Sequence, residues 1–336
     1  MMPRILGLDI GGANLKAATH DEQFIHSRFF PLWTESRHLA ATLAAIIDKA
    51  KPDFVGITMT GELADCFESK QAGVRFICDQ VVSAVGTHES IFFYRTDGKW
   101  SAADQCHHHW RTLAASNWHA LASFAAAQTN HGYQLLIDVG STTTDIIPLA
   151  NGQPLSNLLE DVDRLKLGQL VYCGMERTPI CALLSECKID GEMIPLAREL
   201  FATTLDAFLL TGDLQGNSHN LNTADGRPAI LSCAHARLAR SFCQCPGLWE
   251  EEQTRQIAMQ VKQAVIALIT EAINRVIQSM PEPPTHIMGT GAGVSLLPAL
   301  ELSLEIRQWL PKDLAPVAPA YAVAKCLEQY LNRTLA

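Results

Sequence analysis

The most constraining feature of the sequence is a strand–turn–strand pattern that occurs twice. Apolar residues 5–10 contain Asp9 and lead into the small-residue turn Gly11-Gly12-Ala13-Asn14, and residues 15–19 form a second short apolar run. The pattern returns at residues 135–147, where Asp138 again comes two residues before a glycine-containing turn. Each copy predicts a β-hairpin rather than a strand followed by a helix. An internal repeat predicts related structural halves, here residues 1–130 and 131–336.

Residue periodicity between these patterns predicts an alternation of helices and strands. Helical spacing of apolar residues covers 36–51, 110–130, 255–280 and 318–331, and short apolar runs at 54–59 and 286–288 read as strands. Residues 61–110 read as an insertion of loop, helix and short strands in the first half. Strands that alternate with helices indicate an α/β fold with more than one layer.

Composition excludes several classes of protein. The chain has 336 residues, 48% of them hydrophobic and 18% charged, so it can build large cores. A formal net charge of −9 speaks against nucleic acid or an anionic membrane as a partner. The start of the chain lacks the pattern of a signal peptide, and the scattered cysteines are typical of reduced thiols, so we expect a cytoplasmic protein. The sequence is compatible with a homodimer as well as with a monomer.

The two turns are candidates for phosphate binding. Backbone N–H groups bind phosphate when small residues let the backbone approach it closely. The candidate phosphate-binding residues are Gly11, Gly12, Asn14, Gly140, Ser141, Thr142 and Thr143. Asp9 and Asp138 are candidate ligands of Mg²⁺, which prefers carboxylate, water and phosphate oxygens. Lys16, just after the first turn, could add a positive charge beside the phosphate.

A third glycine-rich turn follows the long helix predicted at residues 255–280. It contains Gly289, Gly291 and Gly293 and comes directly after a predicted strand. A single turn of this kind is often structural, because many hairpins contain glycine pairs and an aspartate before the turn stabilises it. Three such turns in one chain are a more specific signal for a nucleotide or another phosphorylated ligand.

These motifs resemble a known superfamily. Leu8-Asp9-Ile10-Gly11-Gly12 and the segment from Ile137 to Asp145 are similar to the two phosphate loops of actin, sugar kinases and heat-shock chaperones. The turn at residues 289–293 resembles the adenosine loop of the same proteins. The resemblance implies an α/β fold of two ribonuclease H-like, actin-like subdomains with a central cleft. The second motif most resembles the hydantoinase A and 5-oxoprolinase branch.

A narrower resemblance concerns four further segments. The segments at residues 9–16, 59–67, 172–179 and 222–226 are similar to a small family linked to tetrahydromethanopterin-dependent one-carbon transfer. Archaeal members of that family include the synthase of methanofuran biosynthesis. The resemblance implies alkyl transfer, in which an aminomethylfuran diphosphate is joined to the phenol of a tyramine-type acceptor and diphosphate leaves. Asp145 and Asp225 are then alternative general bases for the phenol proton, and Lys16 assists the leaving group.

Three more residues have both a functional and a structural interpretation. Glu62 and Asp65 lie in a loop after a predicted strand, where ligands of open α/β sheets often bind. They are candidates for acceptor binding or a second metal site, but a solvated acidic loop explains them equally well. Arg177 could bind a carboxylate or phosphate through two hydrogen bonds, or form a structural ion pair.

Two groups of cysteine and histidine suggest metal sites but have simpler explanations. Adjacent histidines such as those at 107–109 point in different directions in a strand, which favours a surface loop without metal. The set Cys233, His235, Cys243 and Cys245 departs from the usual spacing of zinc ligands, so residues without metal are the preferred interpretation.

The sequence is compatible with three functions. The first is the diphosphate-releasing alkyltransferase. The second is an ATP-dependent kinase or an amide hydrolase of the hydantoinase and oxoprolinase kind, which the adenosine-like turn supports. The third is a nucleotide-binding regulator of one-carbon metabolism without catalysis. Mg²⁺ is the expected cofactor, and the sequence is compatible both with ATP binding and with its absence.

Overall fold

The repeated motifs fold as the predicted hairpins. The protein is described by a computed structural model that covers residues 3–87, 90–129, 132–156, 158, 160–300, 302 and 304–335. The first hairpin pairs its two strands antiparallel, with Asp9 opposite Lys16 and Ile10 opposite Leu15. Its first strand is buried along its whole length, because it has neighbouring strands on both sides and packed helices above it. The predicted α/β class is confirmed.

The strands and helices have the following bounds. The strands are β1 Ile5–Ile10, β2 Asn14–Thr19, β3 Ile25–Phe29, β4 Phe54–Met59, β5 Ile91–Tyr94, β6 Trp100–Ala102, β7 Tyr133–Val139, β8 Thr144–Ala150, β9 Gln153–Pro154, β10 Leu170–Val171, β11 Glu186–Ile189, β12 Glu192–Pro195, β13 Ile287–Thr290 and β14 Ile306–Gln308. The α-helices are α1 Leu32–Glu35, α2 Leu39–Ala50, α3 Lys70–Val85, α4 Trp110–Leu113, α5 Asn117–Ala127, α6 Asp161–Leu167, α7 Thr204–Thr211, α8 Leu231–Arg240, α9 Glu251–Ser279 and α10 Ala318–Leu335.

The chain forms two compact units that interleave along the sequence. Unit 1 comprises Met1–Leu136, Ile147–Arg164 and Trp309–Ala336, and unit 2 comprises Ile137–Ile146 and Leu165–Gln308. This division is more interleaved than the predicted halves 1–130 and 131–336, because the last helix belongs to unit 1. Residues 130 and 131 lie outside the described residues.

Unit 1 contains a mixed sheet with the strand order β3-β2-β1-β4-β5-β6. The opening hairpin and β3 are antiparallel, whereas β4 and β5 run parallel to β1. Helices α2 and α3 contribute Leu39, Leu43, Val74 and Ile77 to a core that contains Leu8 of β1. Ile5 packs with α10 in a separate cluster. The parallel pairing of β1 and β4 aligns the ends of these strands at one edge of the sheet.

The segment predicted as helical, residues 110–130, forms two helices rather than one continuous helix within its described residues. The chain forms α4 and α5 with a break at residues 114–116, where Ala115 has a left-handed backbone with φ of 48°. Apolar periodicity alone continues through this segment, so the sequence pattern gave no sign of the break. The amide of Ser116 donates to the carbonyl of Met59 at 3.1 Å, and the amide of Ala115 donates to the Glu62 carboxylate. Contacts with the end of β4 therefore hold the break.

Unit 2 is built around the long helix α9. The predicted helix over residues 255–280 is confirmed, and a reciprocal capping arrangement of Glu250 and Gln253 starts it earlier, at Glu251. Ile257 and Val261 of α9 pack against Leu238 of α8 and against the hairpin of β11 and β12. The second sheet has the order β10-β8-β7-β13-β14, and β9 pairs with β8. Among the described residues, no helix is long and apolar enough to cross a membrane.

Candidate active site

The first turn presents a buried carboxylate beside a lysine. Asp9 is buried near the end of β1, where the Thr58 hydroxyl of β4 donates to its Oδ1 at 3.5 Å. Lys16 lies directly opposite Asp9 in β2, and directly opposed residues of antiparallel strands point to the same face of a sheet. The first turn of unit 1 therefore has an acid, a hydroxyl and a cation on one face of the sheet.

The backbone of the first turn has N–H groups available for an anion. The turn closes when the Gly11 amide donates to the Asn14 carbonyl at 3.0 Å. The carbonyls of Gly12 and Ala13 accept bonds from Leu32 and Phe30. Within the described residues, the amides of Gly12 and Ala13 donate to no backbone carbonyl. Backbone groups are normally paired when buried, so these amides are suited to bind an anionic oxygen.

The second turn repeats this arrangement in unit 2. The Gly140 amide donates to the Thr143 carbonyl at 2.8 Å, as the Gly11 amide does in the first turn. Asp138 is buried in β7. The amides of Thr142 and Thr143 donate to no backbone carbonyl in the part of the chain that the structure describes. Each unit thus provides one buried aspartate and one turn with donor groups.

The segment at residues 172–179, singled out in the sequence, supports the second turn. The Met175 amide donates to the Gly140 carbonyl at 3.0 Å, and the Glu176 amide donates to the Ser141 carbonyl at 2.8 Å. Gly174 lies so close that an added Cβ would be 2.6 Å from the Gly140 oxygen. The segment therefore holds the turn in shape. Arg177 is partly buried in this segment, and its predicted role in binding stays a prediction.

Asp145 is buried in β8, just after the second turn. It pairs with Leu170 of β10 in the antiparallel register of that strand pair. Two residues before it, Thr143 closes the turn, so Asp145 is fixed by a regular strand rather than by a loop. Its predicted role as a general base stays a prediction.

The third turn packs against the second aspartate. Gly291 has a left-handed φ of 94°, and an added Cβ would overlap Asp138 Oδ1 and the Val139 carbonyl oxygen. The Gly293 amide donates to the Val139 carbonyl at 2.8 Å. Gly289 lies against Leu297 with no room for a Cβ. Close packing within unit 2 therefore accounts for these glycines, and their predicted contact with an adenosine group stays a prediction.

Gly291→Ala is expected to destabilise the protein by at least about 2 kcal/mol, because the new methyl group needs both a strained φ and the space of the Asp138 carboxylate. Urea unfolding of the variant measures this change. Gly12→Ala is the matched control for stability, since an added Cβ there meets nothing within 4 Å. Equal stability of the two variants would contradict the close contact at Gly291.

The two candidate acids in the loop after β4, Glu62 and Asp65, differ in burial. Asp65 is exposed, as a solvated loop residue would be. Glu62 is 1% exposed, so the interpretation of a solvated acidic loop is wrong for this residue. The Ala115 amide donates to Glu62 Oε1 at 3.0 Å. Burial raises the pKa of Glu62 to about 7, although the hydrogen bonds it accepts and the nearby Lys70 oppose this shift.

Asp225 is part of an ion-pair network in unit 2. Its carboxylate accepts bonds from Arg227 Nε at 2.7 Å and from Arg237 Nη1 at 2.9 Å. Partial burial acts to raise its pKa, but the hydrogen bonds from the two arginines outweigh burial and lower the pKa to about 2. A carboxylate with so low a pKa is a poor proton acceptor at neutral pH. The structure therefore argues against the prediction that Asp225 is a general base.

Sequence reasoning did not identify several residues that shape these sites. The sequence patterns did not single out Thr58, Lys70 and Arg237, although each contacts a candidate or affects its charge. Local patterns gave no signal for them, because the partners lie far apart in the sequence. Across the described ranges, no group of three or more His, Cys, Asp or Glu side chains is arranged to hold a metal ion.

Comparison with known proteins identifies the class. Residues 53–330 match the hydantoinase/oxoprolinase family, and the chain belongs to this family. A nucleotide-free acetone carboxylase structure overlaps 96% of this chain and 70% of its own, at a TM-score of 0.57 and 9% identity, which supports a shared fold. An archaeal actin homolog in complex with ADP covers 98% of this chain and 100% of its own, at a TM-score of 0.45 and 13% identity. The predicted hydantoinase A and oxoprolinase branch is confirmed by the family match.

Two relatives of known name indicate the kind of enzyme within this family. A Methanocaldococcus jannaschii protein named (4-{4-[2-(gamma-L-glutamylamino)ethyl]phenoxymethyl}furan-2-yl)methanamine synthase is 31% identical over 333 residues, which cover 98% of this chain and 99% of the relative. A Methanococcus vannielii protein of the same name is 28% identical over 208 residues, or 60% of this chain and 93% of the relative. The chain is therefore an enzyme of the synthase or transferase type.

Proposed function

We propose that this enzyme is an alkyltransferase of methanofuran-type cofactor biosynthesis. It joins an aminomethylfuran diphosphate to the phenol of a γ-glutamyltyramine-type or tyrosine-type acceptor and releases diphosphate. The name of the two relatives supports this, because it describes a phenoxymethyl ether of a furan. In the reaction, the phenol oxygen bonds to the methylene carbon next to the furan. The bond from that carbon to the diphosphate breaks, and its electron pair leaves with the diphosphate.

The observation that carries the proposal is the repeated turn. Each unit has a buried aspartate at the end of a strand, followed by a turn whose amides donate to no backbone carbonyl among the described residues. A diphosphate leaving group accumulates negative charge in the transition state, and fixed N–H donors stabilise such charge most strongly. The proposed phosphate donors are the amides of Gly12 and Ala13 in unit 1 and those of Thr142 and Thr143 in unit 2.

Lys16 and the two aspartates complete the assignment. The donor set fits Mg²⁺, since buried carboxylate oxygens are ligands that this ion accepts beside phosphate oxygens and water. Asp9 in unit 1 and Asp138 in unit 2 are each proposed as a ligand of Mg²⁺, which when bound would neutralise negative charge on phosphate oxygens. Lys16, opposite Asp9 on the same sheet face, adds a positive charge for the leaving group. Gly11, Asn14, Gly140 and Ser141 shape the turns.

An ATP-dependent reaction is the second candidate, because the family match is to hydantoinases and oxoprolinases. In that case, the turns would bind the phosphates of ATP, and the turn at Gly289, Gly291 and Gly293 would contact the adenosine. The same side chains serve both reactions, so the substrate decides between them.

A diphosphate-release assay separates the two candidates. Purified protein is incubated with Mg²⁺, an aminomethylfuran diphosphate and tyramine or γ-glutamyltyramine, beside a reaction that contains ATP without the furan. We expect diphosphate release that depends on the phenol, and an ether product of matching mass. Phosphate or ADP formed from ATP, with no release from the furan diphosphate, would contradict the alkyltransferase and support the ATP-dependent enzyme. Nucleotide binding without turnover of either substrate would indicate a regulator.

A further inference from the structure

One oxygen of Glu62 has no hydrogen-bond partner in the interior of unit 1. The Ala115 amide satisfies Oε1 at 3.0 Å, whereas Oε2 is buried and has no donor within the described residues. Buried polar atoms are nearly always paired, and an exception at a fixed carboxyl group points to a missing donor. The missing donor can be a proton on the carboxyl group itself or a hydroxyl group of a ligand.

Glu62 is anchored next to the first turn. The amides of Thr60 and Gly61 both donate to the carbonyl of Ile10, at 2.9 and 3.0 Å. Gly61 also lies against Gly11, since an added Cβ would be 3.0 Å from the Gly11 carbonyl oxygen. The loop that contains Glu62 therefore follows the backbone of the first turn, within the same unit.

The second anchor of Glu62 is the break between α4 and α5. Ala115 adopts its left-handed φ of 48° there, and Ser116 bonds to Met59 at the end of β4. A non-glycine residue with positive φ is uncommon and is kept where surrounding contacts fix it. The strained residue directs its amide to Glu62 Oε1, so the carboxyl group has one oxygen fixed by a hydrogen bond and one buried oxygen without a donor among the described residues.

The charges around Glu62 suit a proton acceptor at neutral pH. Lys70 of α3 and Asp161 of α6 are the charged groups that face it, and Glu160 pairs with Lys70 at 3.0 Å. Burial raises the pKa of Glu62 to about 7, Lys70 lowers it, and Asp161 adds to the increase. A base is most effective when its pKa lies near the working pH.

We propose that Glu62 is the general base that accepts the proton of the acceptor hydroxyl group, an assignment that rests on the proposed alkyl transfer. The phenol proton moves to Glu62 Oε2 while the phenol oxygen bonds to the methylene carbon and the diphosphate leaves. The protonated Glu62 then releases its proton to water before the next turnover. Glu62 is then the base in place of Asp145 or Asp225, the two alternatives predicted from sequence, and Asp225 is engaged by two arginines.

Glu62→Gln is the decisive variant. Glutamine keeps an oxygen that accepts the Ala115 amide bond, but its NH₂ group cannot accept a proton. We expect kcat for acceptor-dependent diphosphate release to fall by about a hundred- to ten-thousand-fold. The activity of the wild-type protein should rise with pH through a pKa near 7, and this limb should be absent from the residual activity of the variant. Glu68→Gln, an exposed acid in the same segment, is the matched control and should match the wild type.

A stability measurement checks the same group without turnover. The pKa of Glu62 is about 7 in the folded protein, and its ordinary value, taken for the unfolded chain, is 4.5. The folded protein therefore keeps this proton to a higher pH than the unfolded chain does. The wild type should therefore lose stability relative to Glu62→Gln as pH rises from about 4.5 to 7. Urea unfolding of both proteins across this range measures the difference, and parallel curves would contradict the buried titration.

The outcomes distinguish this inference from the proposed function. If the wild type releases no diphosphate with any phenol, the proposed function fails and the role of Glu62 fails with it. If the wild type is active and Glu62→Gln retains the rate and pH profile of Glu68→Gln, only the assignment of Glu62 is overturned. Loss of activity in Glu62→Gln together with a lower unfolding midpoint and an unchanged pH limb would also overturn it, because that result describes a structural residue. Loss of the limb in Asp145→Asn instead would assign the base to Asp145.

Discussion

Asp9→Asn and Asp138→Asn are each expected to lower acceptor-dependent diphosphate release by at least about a hundredfold. Each change keeps the shape of the side chain and removes a negative charge that would hold Mg²⁺. The loss should be partly relieved by higher Mg²⁺ concentration if weaker metal binding is its cause. Initial rates measured over a series of Mg²⁺ concentrations test this expectation, and the alanine variants should show the same loss.

Stability separates a functional role of these aspartates from a structural one. Both carboxylates are buried, and a buried charge is costly unless partners compensate it. Functional charges are often retained at the expense of stability, so the asparagine variants should unfold at the same or a higher temperature than the wild type. Asp48→Asn, an exposed acid on α2, is the matched control. Activity equal to that of Asp48→Asn would exclude a role for the tested aspartate.

Arg237→Ala is expected to destabilise the protein by about 3–5 kcal/mol, the typical loss when one partner of a buried ion pair is removed. Arg237 is fully buried, with Nη2 2.7 Å from Asp206 Oδ1 and Nη1 2.9 Å from Asp225 Oδ1. Asp206 is also buried, and its desolvation raises its pKa while Arg237 opposes the increase. Without the arginine, Asp206 loses the cation that pairs with it, whereas Asp225 keeps Arg227 and Arg240. Urea unfolding measures the loss of stability.

Arg240→Ala provides the comparison for this network. Arg240 is 38% exposed and approaches Asp225 Oδ2 at 3.5 Å, so its removal should cost less than about 1 kcal/mol. A triple variant with Arg237→Met, Asp206→Leu and Asp225→Asn should recover part of the stability lost in Arg237→Ala, because no uncompensated charge remains buried. Equal destabilisation by Arg237→Ala and Arg240→Ala would contradict the dominant role of the buried pair.

The ion-pair network also indicates a different role for the segment Asn222-Thr223-Ala224-Asp225-Gly226 from the one predicted from sequence. Its resemblance to a family motif suggested a catalytic aspartate, but the arginines of α8 fix Asp225 as an anchor for the loop between α7 and α8. Arg237 is 12 residues from Asp225 and 31 from Asp206. No local pattern relates these three positions, so an aspartate in a turn could not be recognised as an ion-paired residue.

The glycine-rich turns also show that a local sequence pattern does not reveal the contacts of a residue in the folded protein. The sequence correctly predicted turns at residues 11–14 and 140–143, because an aspartate near the end of an apolar run and a group of small residues are local signals. Gly289, Gly291 and Gly293 form an equally clear pattern. Gly289 packs on nearby Leu297, whereas Gly291 and Gly293 pack on Asp138 and Val139 of a strand that is far away in the chain. A glycine required by packing and a glycine required by a ligand look identical in a sequence.

The sequence by itself determined the class of fold, the two hairpins and the positions of Asp9 and Asp138 in them, because strand alternation, helical periodicity and turn residues act over a few residues. The tertiary structure decided which acids are buried, which are paired and which helix is broken. Glu62 is buried and accepts a hydrogen bond from the Ala115 amide, 53 residues away, while Asp65 remains in solvent. Burial and charge pairing set the pKa of a carboxyl group, and both depend on neighbours that only the folded chain brings together.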